Sequence, residues 1–279
     1  MMAFFRSEQL FNKNKRPSRQ NLEQKLIFLM FSNDIQMISK NELKYIQSFA
    51  HKKHWAEESV FIVEGPKLVG ELLESDWEVE AIYGIKEWEE SANGHLPNFQ
   101  LVTEEELERM SLLQQPNQVI ALVKKKQYNT ALQFKGKATL VLDGIQDPGN
   151  LGTIIRTLDW FGGTQMIVTE DTAGFYNPKV IQSTMGSFLR VRVEVVKDIP
   201  ALLSSQEIPI YGALLNGASI YETKFTKEGF LIIGNESKGI REDLFTSINH
   251  AISIPKLGQA ESLNASVATG IILSKWLGH

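Results

Sequence analysis

Six short apolar runs after residue 137 constrain the fold of this chain more than any other feature. They are Thr139–Leu142, Met166–Thr169, Val191–Val196, Ile208–Leu214, Phe230–Ile233 and Ala251–Ile254. Most are continuous rather than alternating, as strands covered on both faces must be. Helical stretches fall between them at 151–161, 178–187, 198–205, 241–246 and 263–277. Strands alternating with helices predict an α/β domain with a mostly parallel sheet. Ligands of such sheets sit beyond the carboxyl ends of the strands, so the loops there are the places to look for chemistry.

A smaller α/β unit precedes this domain, over 37–123. Ile38, Leu43, Ile46 and Phe49 recur at helical spacing. Val60–Val63 reads as a buried strand, and Glu64-Gly65-Pro66 as the turn into a helix over Lys67–Glu74. Strands follow at Val79–Ile85, Phe99–Val102 and Val119–Val123, with Thr103 capping an acidic helix over Glu104–Met110. Residues 124–137 read as a linker and 1–36 as a flexible basic extension, with Met37 a candidate start.

The chain has no cysteine, which excludes disulfides, cysteine-ligated zinc, iron–sulfur clusters and thiol nucleophiles. None of its five histidines sits in a metal-binding frame. The pair in His51-Lys-Lys-His54 reads as a solvated charged face, and no metal is expected. No apolar run approaches the roughly 20 residues of a membrane helix, so a cytoplasmic protein without membrane contact is expected. The net charge of −4 is unevenly spread. Residues 1–60 carry 10 Lys+Arg against 6 Asp+Glu, residues 61–123 carry 3 against 13, and the remainder 16 against 14. This is not the uniformly basic surface of a non-specific nucleic-acid binder. Nucleic-acid contact must be local, and the candidate patches are Arg16–Lys25, His51–His54 and Lys124-Lys125-Lys126.

Three strand-end loops stand out. The first runs from Asp143 to Arg156 as DGIQDPGNLGTIIR. Pro148-Gly149 makes a turn, Asn150 is placed to cap the following helix, Gly152 permits close packing, and Arg156 interrupts an apolar stretch. Taken alone, an arginine there reads as a surface ion pair. The second, Gly234-Asn-Glu-Ser-Lys-Gly239, resembles half a P-loop, but Ile240-Arg241 stand where Lys-Ser/Thr would be required. It reads structurally as a turn with two glycines at positive φ. The third is Ile254-Pro255-Lys-Leu-Gly-Gln-Ala-Glu-Ser262-Leu263-Asn264, with Ser262 placed to cap the last helix. That helix is apolar on most faces and rich in small residues, so it is expected to be buried and to approach a neighbour closely. A GxGxxG dinucleotide fingerprint is missing.

Together these loops resemble, in order and spacing, the three motifs of the SpoU (TrmH-like) branch of the SPOUT RNA methyltransferases. The matches are Asn150–Arg156, Gly234–Gly239, and Ile254-Pro255 with Ser262-Leu263-Asn264. Ser237 stands where the family often has Gly, and Ala265 where it often has Val. More loosely, Phe61–Gly65 and Gln115–Ala121 resemble the family's amino-terminal RNA-binding domain. The resemblance implies a knotted (trefoil) parallel-sheet methyltransferase domain over 138–279, preceded by a small ribosomal-protein-like α/β domain. It implies S-adenosylmethionine as cofactor, a ribose 2′-hydroxyl of RNA as acceptor, and a homodimer with active sites at the interface. Carried over by motif position, Asn150, Arg156, Glu236, Ser262 and Asn264 serve catalysis. Leu214, Gly234, Asn235, Gly239, Ile254 and Leu263 bind the cofactor. Ribosomal RNA is favoured over transfer RNA because a separate amino-terminal domain is present. The rival readings are an RNA-binding factor that keeps the fold without catalysis, a transfer-RNA methyltransferase, and a Rossmann-type nucleotide enzyme. Guanidinium stays protonated and is a poor base, so Arg156 is better suited to clamp phosphate and stabilise a developing alkoxide.

Overall fold

The computed structural model describes residues 38–278; the readings made for 1–37 lie outside the described residues. The smaller lobe begins with helices α1 (Lys40–Ser48) and α2 (Lys52–Glu57). It continues through β1 (Val60–Glu64), α3 (Pro66–Leu73), β2 (Val79–Gly84), α4 (Lys86–Ser91), β3 (Phe99–Leu101), α5 (Glu104–Met110) and β4 (Val119–Lys124). Its sheet order is β1-β4-β2-β3, antiparallel except for the β2–β3 pair. Thr103 caps α5 in a full capping box with Glu106. The short helices α2 and α4 depart from the sequence reading. Each is almost entirely charged or polar and buries one large side chain, Trp55 or Trp88. A single apolar residue per helix gives no periodicity to detect.

The larger lobe comprises β5 (Ala138–Leu142), α6 (Pro148–Trp160), β6 (Gln165–Val168), α7 (Pro178–Thr184), a 3₁₀ turn (Ser187–Leu189) and β7 (Arg192–Val195). It then adds α8 (Ile199–Ser204), β8 (Ile210–Ser219), β9 (Gly229–Ile233), α9 (Glu242–Phe245), β10 (His250–Ser253) and α10 (Ala265–Leu277). Its six strands are all parallel, in the order β10-β8-β9-β5-β6-β7. The helix expected over 178–187 stops early, because Met185 (φ 51°) and Gly186 (φ 95°) turn left-handed. A side chain at Gly186 would collide with the Glu71 carboxylate of the smaller lobe. Strand β8 runs five residues past its expected end. Its register against β10 jumps from Gly212 opposite Ala251 to Ala218 opposite Ile252, which pushes Ala213–Gly217 out as a wide bulge.

The lobes share apolar surface. Ile181 and Phe188 of the larger lobe belong to the core of the smaller one. Phe61, Trp77 and Phe188 meet edge to face at centroid distances of 5.6–5.8 Å, and Tyr176 lies 4.8 Å from Phe61. Such ring pairs each contribute about 0.5–1.5 kcal/mol beyond the area they bury. The connecting segment is strapped down rather than loose. Lys124 pairs with Glu78 and Lys126 with Asp76. Lys125 donates to the Ala56 carbonyl and lies over Tyr176, the Arg192 guanidinium packs on Tyr128, and the Phe134 ring packs tilted against Phe230.

Candidate active site

The first loop leaves β5 at Asp143 and enters α6 at Pro148. Asp147, not Asn150, caps this helix: its carboxylate accepts the Asn150 amide proton at 2.7 Å. Pro148 at the first helical position explains the earlier start, since it lacks the N–H that would go unpaired there. The Asn150 side chain is therefore left for other work. Its Nδ2 donates to Glu236 Oε1 at 2.6 Å, and its Oδ1 accepts from Asn264 Nδ2 at 2.9 Å. Asn264 in turn caps α10, accepting from the backbone of Ser266 and Val267; Ser262, the expected cap, lies two residues too early and is exposed. One hydrogen-bond chain, Glu236–Asn150–Asn264, thus ties together all three motif loops.

The second loop is closed on itself. Asn235 and Gly239 exchange backbone hydrogen bonds at 3.0 and 2.9 Å. The Asn235 amide donates to the Gly144 carbonyl and accepts from Ser237 and Lys238 N–H. Only Gly239 has positive φ. Gly234 is required for a different reason: a Cβ there would lie 2.3–2.5 Å from the backbone of Gly239 and Ile240. Arg241 completes the loop, and its importance was not read from the sequence. Its N–H and Nε donate to the buried Asp143 carboxylate, and Nη2 donates to Asp171. Burial opposes the Arg241 charge, but Asp171 and Asp143 outweigh it and push its pKa up; hydrogen bonds from Thr169 and then Arg241 hold Asp171 down. The signal available was position, an acid at the strand end beside one motif and a base immediately after another.

Beyond these loops opens a cleft of about 550 Å³, within the roughly 300–1,000 Å³ typical of small-molecule sites. Leu214, Gly234, Asn235, Gly239, Ile254 and Leu263 all line it, as do Glu236 and Ser262. Ile233, Ile252 and Ile272 form an apolar floor, and Ala265 and Ala268 present small side chains from α10. The bulge brings Leu214 and Leu215 to one rim, and Leu257, 99% exposed, stands on another. Apolar floor, small residues and loop backbone suit an adenosine with its aliphatic tail; the charged lining is mixed, Glu236 and Glu261 against Lys238 and Lys256.

Arg156 stands apart. It does not line the cleft, and it makes no ion pair or side-chain hydrogen bond among the described residues, so the reading of a surface ion pair fails. Six residues after Asn150, it points about 120° away around the helix and lies about 9 Å along it. It shares an exposed stripe of α6 with Thr153 and Trp160, the latter 83% exposed. Gly152, by contrast, faces α7 so closely that a Cβ would lie 2.4 Å from Ser183 Cβ. Among the described residues no group of acidic and histidine side chains gathers as a metal site, and no helix is long and apolar enough to cross a membrane.

Comparison with known proteins matches residues 137–274 to the SpoU rRNA Methylase family and residues 40–121 to the MRM3-like substrate binding domain. The chain is 30% identical over 245 residues to the 23S rRNA (guanosine(2553)-2'-O)-methyltransferase RlmP of Bacillus subtilis, covering 86% of this chain and 97% of that protein. A putative RNA methyltransferase of the TrmH family from Porphyromonas gingivalis superimposes with a TM-score of 0.78 at 34% identity, over 86% of this chain and 98% of that one. The AdoMet-bound rRNA methyltransferase from Sinorhizobium meliloti does so with a TM-score of 0.75 at 26% identity, over 86% and 96%. With its parallel sheet, its three joined motif loops and the cleft they enclose, the chain belongs to the SpoU family of S-adenosylmethionine-dependent RNA ribose 2′-O-methyltransferases.

Proposed function

We propose that this chain methylates a ribose 2′-hydroxyl of ribosomal RNA in the cytoplasm, acting as a homodimer. The likeness to RlmP over nearly that protein's whole length supports the ribosomal substrate. When bound, S-adenosylmethionine supplies a methyl group already activated for displacement. The chain must align the acceptor with it, and alignment alone is worth roughly 7–11 kcal/mol. The cleft residues Leu214, Gly234, Asn235, Gly239, Ile254 and Leu263 hold the cofactor, largely by backbone and apolar contact. Asn235 acts by shaping its loop. Glu236, fixed by Asn150, keeps its Oε2 without a partner among the described residues and is the group placed to take the hydroxyl proton. Asn264 and Ser262 border the acceptor side.

The observation that carries the dimer is the separation of Arg156 from the cleft of its own chain, on a face that needs covering. Trp160, Leu263 (46% exposed) and Val267 (49% exposed) leave α6, the first turn of α10 and the loop just before it with unburied apolar surface. A second copy seated there would cover these side chains and carry Arg156 to the neighbouring cleft, where the family's knotted core and shared active site would place it. Sedimentation should give twice the chain mass of 31.5 kDa. Arg156→Ala should retain cofactor affinity and lose at least about 10²-fold in rate at saturating RNA, the scale of one transition-state contact. Mixing Arg156→Ala with Gly234→Val chains should restore about a quarter of wild-type activity, since half the random dimers carry one intact composite site of two. A wild-type rate in Arg156→Ala would overturn its role, and failure of the mixture to recover activity would overturn the shared site.

A further inference from the structure

The sequence offers two described basic runs, and the structure separates them. Lys124-Lys125-Lys126 is consumed internally. Its outer members pair with Glu78 and Asp76 at 2.5 and 2.6 Å, Lys126 also lies over the Trp77 ring, and burial pushes the Lys125 pKa down. That run fastens the connecting segment to the smaller lobe, and only Lys125, over Tyr176, reaches the larger one. His51, Lys52 and Lys53 are exposed, and among the described residues neither lysine makes an ion pair or side-chain hydrogen bond.

What gives the second run its meaning is where α2 is seated. Trp55 turns inward against the loop that follows β6: a Cβ at Gly174 would lie 2.2 Å from the indole, so only glycine admits the contact. The Ala56 carbonyl accepts from Lys125, whose ammonium lies 4.9 Å above Tyr176 in the same loop. At the end of that loop Asn177 caps α7, and Lys179, the second residue of the helix, is exposed with no side-chain partner among the described residues. Helix α7 packs through Val180 and Ser183 on Gly152 of α6, two residues after Asn150. Lys52, Lys53 and Lys179 therefore flank one loop at the carboxyl edge of the parallel sheet, the edge that carries the reaction loops. The acids nearby are mostly engaged: Glu58 with Tyr45 and His54, Asp171 with Arg241. Glu57 and Glu170 are exposed without ion pairs among the described residues, so three lysines face two uncompensated acids. The remaining stretch of this lobe, with 3 basic against 13 acidic residues over 61–123, repels a polyanion.

We infer that Lys52, Lys53 and Lys179 form a phosphate-binding track that holds the backbone of the substrate RNA between the small lobe and the reaction loops. The inference rests on the reading of this chain as a ribosomal-RNA methyltransferase. The track contributes affinity and register rather than base identity, as phosphate contacts do.

The test uses the full chain with protein-free ribosomal RNA. The triple variant Lys52→Gln/Lys53→Gln/Lys179→Gln should raise KM for RNA at least about tenfold. Its kcat should stay within about twofold, and its affinity for S-adenosylmethionine should be unchanged. The slope of log affinity against log salt should flatten by about two, since each phosphate contact contributes roughly 0.7–0.9. Lys86→Gln removes another exposed lysine, one paired with Glu90 on α4, and should leave KM as in the wild type. A wild-type KM and salt slope in the triple variant would overturn the track. If the wild-type chain binds cofactor but methylates no ribosomal RNA, the substrate reading fails instead. The track is then judged by fluorescence anisotropy with a labelled ribosomal RNA fragment, where an unchanged affinity in the triple variant overturns it.

Discussion

The two main walls of the cleft are built on opposite plans. The wall from Gly234 to Arg241 is fastened everywhere: its ends bridge each other, Asn235 holds Gly144, and Arg241 grips two carboxylates from neighbouring loops. The wall from Pro255 to Leu263 is wholly exposed, and none of its nine residues makes a hydrogen bond among the described residues. A pre-formed wall loses little conformational entropy on binding, whereas an unfastened one must be ordered at about 1–2 kcal/mol per residue fixed. The cleft therefore has one wall that is already formed and one whose order must come from what it binds.

The largest effect should come from breaking the fixed wall. Gly234→Val places carbon atoms inside the Gly239–Ile240 backbone and should abolish cofactor binding by calorimetry, because the loop cannot close. Near-normal binding would mean that this wall yields as readily as the other. Arg241→Gln should come next. It leaves the buried Asp143 carboxylate without its cation and should lower unfolding stability by about 1–3 kcal/mol in urea titrations. The loss stays below that of a fully buried pair because Arg241 is itself half-exposed. On the yielding wall, Leu257→Ala should leave the stability of the free protein within about 0.5 kcal/mol. It should still weaken cofactor affinity several-fold, because this 99% exposed side chain has apolar contacts to gain only when the wall folds in. Unchanged affinity would show that Leu257 stays in solvent. The smallest effect is an expected absence of change: the Asn235 and Gly239 amides should be protected from hydrogen exchange with or without cofactor, while amides of 256–263 gain protection only with it. Equal behaviour of the two segments would erase the contrast.

The strands β1, β4, β5, β6 and β9 were legible from their apolar runs because burial on two faces leaves little choice of residue. The cleft-lining set was also legible through its motifs. What the sequence hid was direction and competition. Asn150, Asp147, Ser262 and Asn264 are all chemically fit to cap a helix, and only the position of Pro148 and the actual start of α10 decided which did. Arg156 and Asn150 occupy one motif, yet helical rotation sends them to different faces. The three lysines from 124 and the two from 52 look alike in a sequence. What separates them is the carboxylates of Glu78 and Asp76, which reach the first run from the far end of the smaller lobe's helix–strand turn.

The disposition of the tryptophans gives the molecule an optical property. Trp55, Trp77, Trp88 and Trp276 are buried at 2–7% exposure, whereas Trp160 stands at 83%. The four buried indoles are already shielded from solvent. A concentration-dependent blue shift in native fluorescence would therefore originate at one position, four residues from Arg156 on the same helix face. The protein carries an intrinsic reporter for the covering of that face, readable without label or substitution. Trp160→Phe supplies its blank.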